Sequence, residues 1–267
     1  MRPRTSQARI PVASDIVAEM QTLASVTFDA DADARMSVMV VPPADARLRL
    51  RISSVSGRVK VTAEPRADVV VARGGAVATA DGAVEIRAGR PSDSVEVRCP
   101  AGADVVIGTR SGRVELRGRF GTVGITSQSG SIRVAAVAEA DLRTVSGAVE
   151  IQECDGRCRV STTSGRVRVG ATRDAEISTT SGLVGVDVVV GAIQVRSVSG
   201  TVTVASSARG PVDASTVSGL ITIRLPPGVR PTVRSSGQGT VHSSFEPGDD
   251  VVIAIANVSG TVRLVPV

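Results

Sequence analysis

The residues that could do chemistry are few, and most lack the neighbours their chemistry needs. The segment FDADADARMSVMV sets Asp29, Asp31 and Asp33 two apart, as a calcium loop sets its first oxygen ligands. Such a loop also needs Gly at its sixth position and Glu at its twelfth, where this chain has Ala34 and Val40. Cys154 and Cys158 are four apart, but no further Cys or His joins them to complete a zinc tetrahedron. His242 is the sole histidine, which removes most His-based acid–base catalysis. Glu246, Asp249 and Asp250 fall in FEPGDD, which reads as a turn. No Gly-x-x-x-x-Gly-Lys phosphate loop occurs. The expectation is no metal, no cofactor and no catalytic residue.

Composition narrows the classes further. Of 267 residues 42% are hydrophobic, yet there are three Phe and no Trp or Tyr, so the core must be aliphatic. Base-stacking platforms and aromatic-lined sugar grooves both need ring faces. The charge is +5, from 31 basic and 26 acidic residues, and Lys60 is the only lysine. The bases alternate with Glu and Asp rather than forming a stripe, which speaks against nucleic acid as a partner. An odd set of three cysteines gives no paired framework and suits a reducing compartment. The first 20 residues contain no apolar run of signal-peptide length. No stretch approaches the roughly 20 apolar residues of a membrane span. A cytoplasmic protein without a transmembrane segment is expected.

What positions these residues is a repeat. Ser-Gly followed by alternating aliphatic residues recurs at Gly57, Gly112, Gly130, Gly147, Gly165, Gly182, Gly200, Gly219 and Gly260. A variant lies at Gly82 and a degenerate copy near Gly237 or Gly239. From Gly112 to Gly219 the glycines are 17–19 residues apart. Aligned on the glycine, the aliphatic residues fall in columns: Val114/Leu116, Ile132/Val134, Val149/Ile151 and Val84/Ile86 after it, Ile107, Ile125, Leu142 and Val77 before it. Period 2 over short runs means strands with one buried face. Each unit is therefore a strand, a Ser-Gly corner and a second strand. Identical columns in every unit favour like-on-like stacking, an all-β solenoid (β-helix) with rungs of about 17–18 residues. The crossover rule predicts a right-handed coil.

Two hydroxyl columns flank the corner. Ser54, Thr109, Ser127, Thr144, Thr162, Thr179, Ser197 and Thr216 stand three before the glycine, and a serine stands immediately before it. Parity points both inward, where they can bond the freed backbone of the corner. The glycine is expected to supply a positive φ. Repeated serines without bases are structural rather than nucleophilic.

The units TVSGAVEI and TTSGRVRV, with VEVRCPAGADVVIGTRSGRVELRG and the later LPPGV, resemble the bacterial β-strand-repeat family labelled "putative adhesin", a domain of unknown function. The resemblance covers roughly residues 46–267. It implies a β-solenoid with no established enzymatic activity.

Residues 1–45 then form an N-terminal extension, a disordered tail or a cap with a short helix over 14–24. Residues 46–267 form the repeat domain, and Pro266 is expected to stop pairing beyond the last strand. Outward positions in the early rungs alternate in sign, as in Lys60, Glu85, Glu115, Arg133, Glu150 and Arg168, so neighbours can pair along the ladder. In the later rungs charge gives way to Leu183, Val198, Thr201, Val217 and Leu220, the candidate interaction surface. The function expected is that of a non-enzymatic scaffold, meeting an unidentified protein partner or a second copy of itself. The alternatives are a carbohydrate-active β-helix enzyme, for which no carboxylate cluster converges, and a weak binder of nucleic acid or anionic surfaces through arginine.

Overall fold

The computed structural model describes residues 26–30, 36–40, 48–80 and 83–267. The described residues form 22 strands joined in one sheet, and most of its pairings are parallel. β-Branched side chains at period 2 dictate the strands, and each strand buries every second residue. The chain coils as a β-solenoid. Each regular rung gives one strand to a first ladder before the Ser-Gly corner and one to a second ladder after it. In the first ladder Ile107, Ile125, Leu142, Val160, Ile177 and Val195 stand in register. In the second, Val114, Ile132, Val149, Val167, Val184, Val202 and Ile221 do so. All of these are buried. Burying one such side chain fully is worth about 1.5–3 kcal/mol.

The short connection between rungs also pairs. Phe120, Val137, Cys154, Thr172, Val189 and Ser206 lie side by side as a third inward column. All six are buried. The coil is thus closed on a third, narrow side.

The corner works differently from the expectation. The Ser/Thr column three before the glycine is buried, and its oxygen accepts the glycine N–H at 2.9–3.1 Å in seven successive rungs from Thr109 to Thr216. The serine immediately before the glycine is exposed, not inward. The chain bends there, so strand parity no longer applies. Its hydroxyl donates to a carbonyl of the neighbouring rung, as from Ser181 to Thr163 at 3.2 Å and Ser259 to Val217 at 3.0 Å. Nor do the described Ser-Gly corner glycines of the regular rungs adopt positive φ; among the described residues the glycines that do are Gly102, Gly118, Gly228 and, in the degenerate copy, Gly237. The corner glycines are required because rungs touch there. A Cβ on Gly182 would stand 2.6 Å from the carbonyl oxygen of Gly165 and 2.7 Å from Thr179 Oγ1.

Rung order departs from chain order at both ends. Strand Arg49–Ser54 lies between Ala83–Arg87 and Asp104–Thr109, so rung 83–100 stacks outside rung 48–64. Val84 and Ile86 therefore align with Leu50 and Ile52 of the first ladder, not with the post-glycine column; Val77 pairs with Ile86 in an antiparallel hairpin. That end is finished by antiparallel strands. Ala76–Ala80 covers the first ladder, and Val69–Arg73, Met36–Val40 and Val26–Ala30 follow in turn on the second. The sheet reaches back into the segment ahead of residue 46. The helix expected over 14–24 lies outside the described residues.

At the other end the final strands, Val251–Asn257 and Thr261–Pro266, are inserted between rung 212–225 and rung 231–243. The degenerate copy near Gly237 is the outermost rung. Pro266 lies opposite Leu225, and Val267 N–H still donates to Leu225 O at 3.0 Å, so pairing continues past the proline.

Candidate interaction surface

Two exposed columns flank the corner in the later rungs. Before the glycine, Val198, Val217 and Val258 follow one another on adjacent rungs and are 46%, 45% and 60% exposed. After it, Leu183, Thr201, Leu220 and Thr261 stand in register on the second ladder. Leu183 is 52% exposed, Thr201 is exposed and Leu220 is half-buried. The five residues singled out from sequence thus form one ridge, with Ser199 and Ser218 along its crest.

Continuity over consecutive rungs, not position at the corner or side-chain type alone, makes this ridge distinct. Val55 and Val145 are equally exposed at equivalent corners, but Arg110 follows Val55 on the next rung, and Gln128 and Thr163 flank Val145. Single exposed valines are ordinary on a protein surface; a run on consecutive rungs beside a Leu/Thr column is a patch. The ridge has charged margins. Arg166 stands beside Leu183, and Arg168, one column further out, bonds Asp187 at 3.0 Å. At the far side Arg263 follows Thr222.

The early-rung charges pair as the alternation implied, though not always with the expected partner. Arg133 meets Glu150 on the next rung at 3.2 Å. Lys60 meets Glu96 at 2.7 Å, while Glu85 stands on the first ladder and meets Arg51. Glu115 bonds Arg117 of its own strand at 2.6 Å. The hydrogen bonds from Lys60 and Arg117 hold the carboxyls of Glu96 and Glu115 below the ordinary range, and that from Arg66 does the same for Asp68.

The cysteines are all free and buried. Burial pushes the Cys99 thiol up to about 12. Cys154 and Cys158 lie inward on one rung, and the hydrogen bond between them, with burial, drives Cys158 far up. Cys99 and Cys158, held protonated, pack as small apolar residues. Among the described residues no group of three or more His, Cys, Asp or Glu could hold a metal ion. No helix among the described residues is long and apolar enough to cross a membrane.

Comparison with known proteins places this architecture. No curated protein matches the sequence. Among solved structures, a "putative lipid binding protein" from Parabacteroides distasonis is similar with a TM-score of 0.50 at 14% identity, over 85% of this chain and 95% of that one. A "putative adhesin" from Bacteroides fragilis matches with a TM-score of 0.42 at 11% identity, over 86% of this chain and 96% of that one. The family model described as Toastrack DUF4097 matches residues 18–224, which span the regular rungs and their capped end. The chain belongs to the Toastrack DUF4097 family.

Proposed function

We propose that this protein is a non-catalytic interaction scaffold of the cytoplasm, whose corner ridge docks a partner protein. The observation that carries this reading is the continuous ridge of Leu183, Val198, Thr201, Val217 and Leu220 on consecutive rungs. A rigid stack of rungs holds these side chains in fixed rows, so little order is lost on binding. Supporting the non-catalytic reading, the ridge presents no nucleophile–base pair, and its hydroxyls, Ser199 and Ser218, donate to Thr180 and Val198 carbonyls. Three buried free thiols suit a reducing compartment.

The test is a partner captured by the wild-type chain, purified and titrated against Leu183→Glu/Leu220→Glu. Two charges in the centre of an apolar contact should weaken binding at least tenfold. Unchanged affinity would remove the ridge from the function. Turnover of any polysaccharide in a panel would overturn the non-catalytic reading. Retention on DNA at about 50 mM salt that falls steeply at higher salt would favour arginine-mediated binding instead.

A further inference from the structure

We propose that the open end of the coil, rung 231–243, pairs edge to edge with the same end of a second copy of this chain. The inference gives self-association a site of its own and does not depend on the corner ridge.

Pro231–Ser236 and Thr240–Ser243 are the outermost strands of the two ladders at this end. Among the described residues no strand pairs with their outer side. An unpaired edge leaves a row of N–H and C=O groups able to accept another strand. Here two such edges meet at a Ser-Gly corner. A single extended peptide could satisfy only one of them; a second solenoid end carries both at the matching angle. The opposite end of this chain is unsuited as the mate, because antiparallel strands already finish both its ladders.

Two copies related by a two-fold axis therefore meet through like ends, which closes the assembly at a dimer. An axis passing through Gln238, the exposed tip of the corner, exchanges the two faces. Each copy's 231–236 strand then lies antiparallel to the other copy's 240–243 strand. Side-chain parity agrees with this register. Val233 and Ser235 share the inward columns of Ile253 and Ile255, while Val241 and Ser243 share those of Val262 and Leu264. Counting outward from Gln238, Ser235 meets Val241, Val233 meets Ser243, and outward-facing Arg234 meets His242. The pairing would cover Val233, Val241 and Phe245, which are only half-buried although packed on the core.

Sedimentation from low to high micromolar concentration should show a monomer–dimer equilibrium. Gln238→Cys, on the axis, should cross-link to itself under mild oxidation by diamide. Gln128→Cys, exposed at a mid-coil corner, should not, and the native thiols are buried. His242→Arg should weaken the dimer several-fold by opposing Arg234, and adding Arg234→Glu should restore it. A chain that stays monomeric throughout, or a dimer that Gln238→Cys fails to cross-link, overturns the proposal. Survival of the dimer in Leu183→Glu/Leu220→Glu separates it from the ridge reading.

Discussion

Gly182→Ala tests why the corner contains glycine. The added methyl would meet Gly165 O at 2.6 Å, Thr179 Oγ1 at 2.7 Å and Thr162 Cγ2 at 3.2 Å. Ordinary contact is about 3.4 Å, so the rungs must part by more than half an ångström in a stack whose spacing is about 4.8 Å. One hydrogen bond across that gap resists the parting, Leu183 N–H to Gly165 O at 3.1 Å, and the contact with Thr179 Oγ1 on the same rung strains the bond it accepts from Gly182 N–H at 2.9 Å. Overpacking costs about 1–3 kcal/mol and the loss of one such bond about 1 kcal/mol. Reduced freedom of the unfolded chain returns about 0.4–1 kcal/mol. The net loss is about 2–3 kcal/mol, which at this chain length lowers Tm by about 4–6 °C.

Gly185, three residues further along the same rung, is the control. A Cβ there would meet nothing within 4 Å. Gly185→Ala should leave stability unchanged or raise it by up to about 1 kcal/mol. Both variants are followed by thermal and urea denaturation, with hydrogen exchange at the corner amides in case the stack opens rung by rung. Equal Tm values for the two alanine variants would refute the close-contact account. A loss that depended on φ instead would appear at Gly102→Ala, where φ is +79° and no atom lies within 4 Å.

Two further expectations follow from the corner and the ion pairs. Thr179→Val removes the buried acceptor of Gly182 N–H and should cost about 1–2 kcal/mol, whereas Ser181→Ala, losing an exposed bond to Thr163 O, should cost less than about 1 kcal/mol; urea midpoints reversing that order would reject the assignment of roles. Because Asp68, Glu96 and Glu115 have lowered pKa values when folded, their stabilisation is present above the unfolded carboxyl range near 4 and disappears as pH falls through the folded values. Tm should thus be flat from pH 8 to 5 and fall below about pH 4, and Lys60→Met/Arg66→Met/Arg117→Met should flatten that fall; an unchanged acid profile in the triple variant would refute it.

The columns were legible because stacking repeats one environment at every rung, so the same residue type recurs. That is why the buried strands and the inward Thr column could be read directly. Parity failed at Ser181 and its equivalents because a bend breaks the two-residue period. Glycine's role was misread for a related reason: a contact between rungs leaves the same signature in one chain as a left-handed turn. The third side stayed hidden, since Phe120, Val137, Cys154 and Thr172 share burial but neither size nor residue type. The ridge residues were found by loss of charge, yet their continuity depends on register, which places Val217 beside Val258 across an insertion.

Rung order is the feature that periodicity cannot carry, and inward composition explains it. Inserting the final strands makes Gly260, not a residue about 18 later, the neighbour of Gly219, a loop of 41 residues. The added closure entropy is only about 0.7 kcal/mol. In exchange the outermost rung is the one whose inward columns read Val233, Ser235, Val241 and Ser243. The rung protected behind it reads Ile253, Ile255, Val262 and Leu264, all buried. Exposing even half of those four side chains would cost several kcal/mol at about 1.5–3 kcal/mol for each full burial, so the polar rung belongs outside. At the opposite end the outer rung is apolar, with Val84, Ile86, Val95 and Val97 buried, and there the chain adds antiparallel strands to cover it. One end is finished by cover and the other by serine. Serine lowers the cost of an open end without satisfying its backbone, and that leaves the second end able to pair.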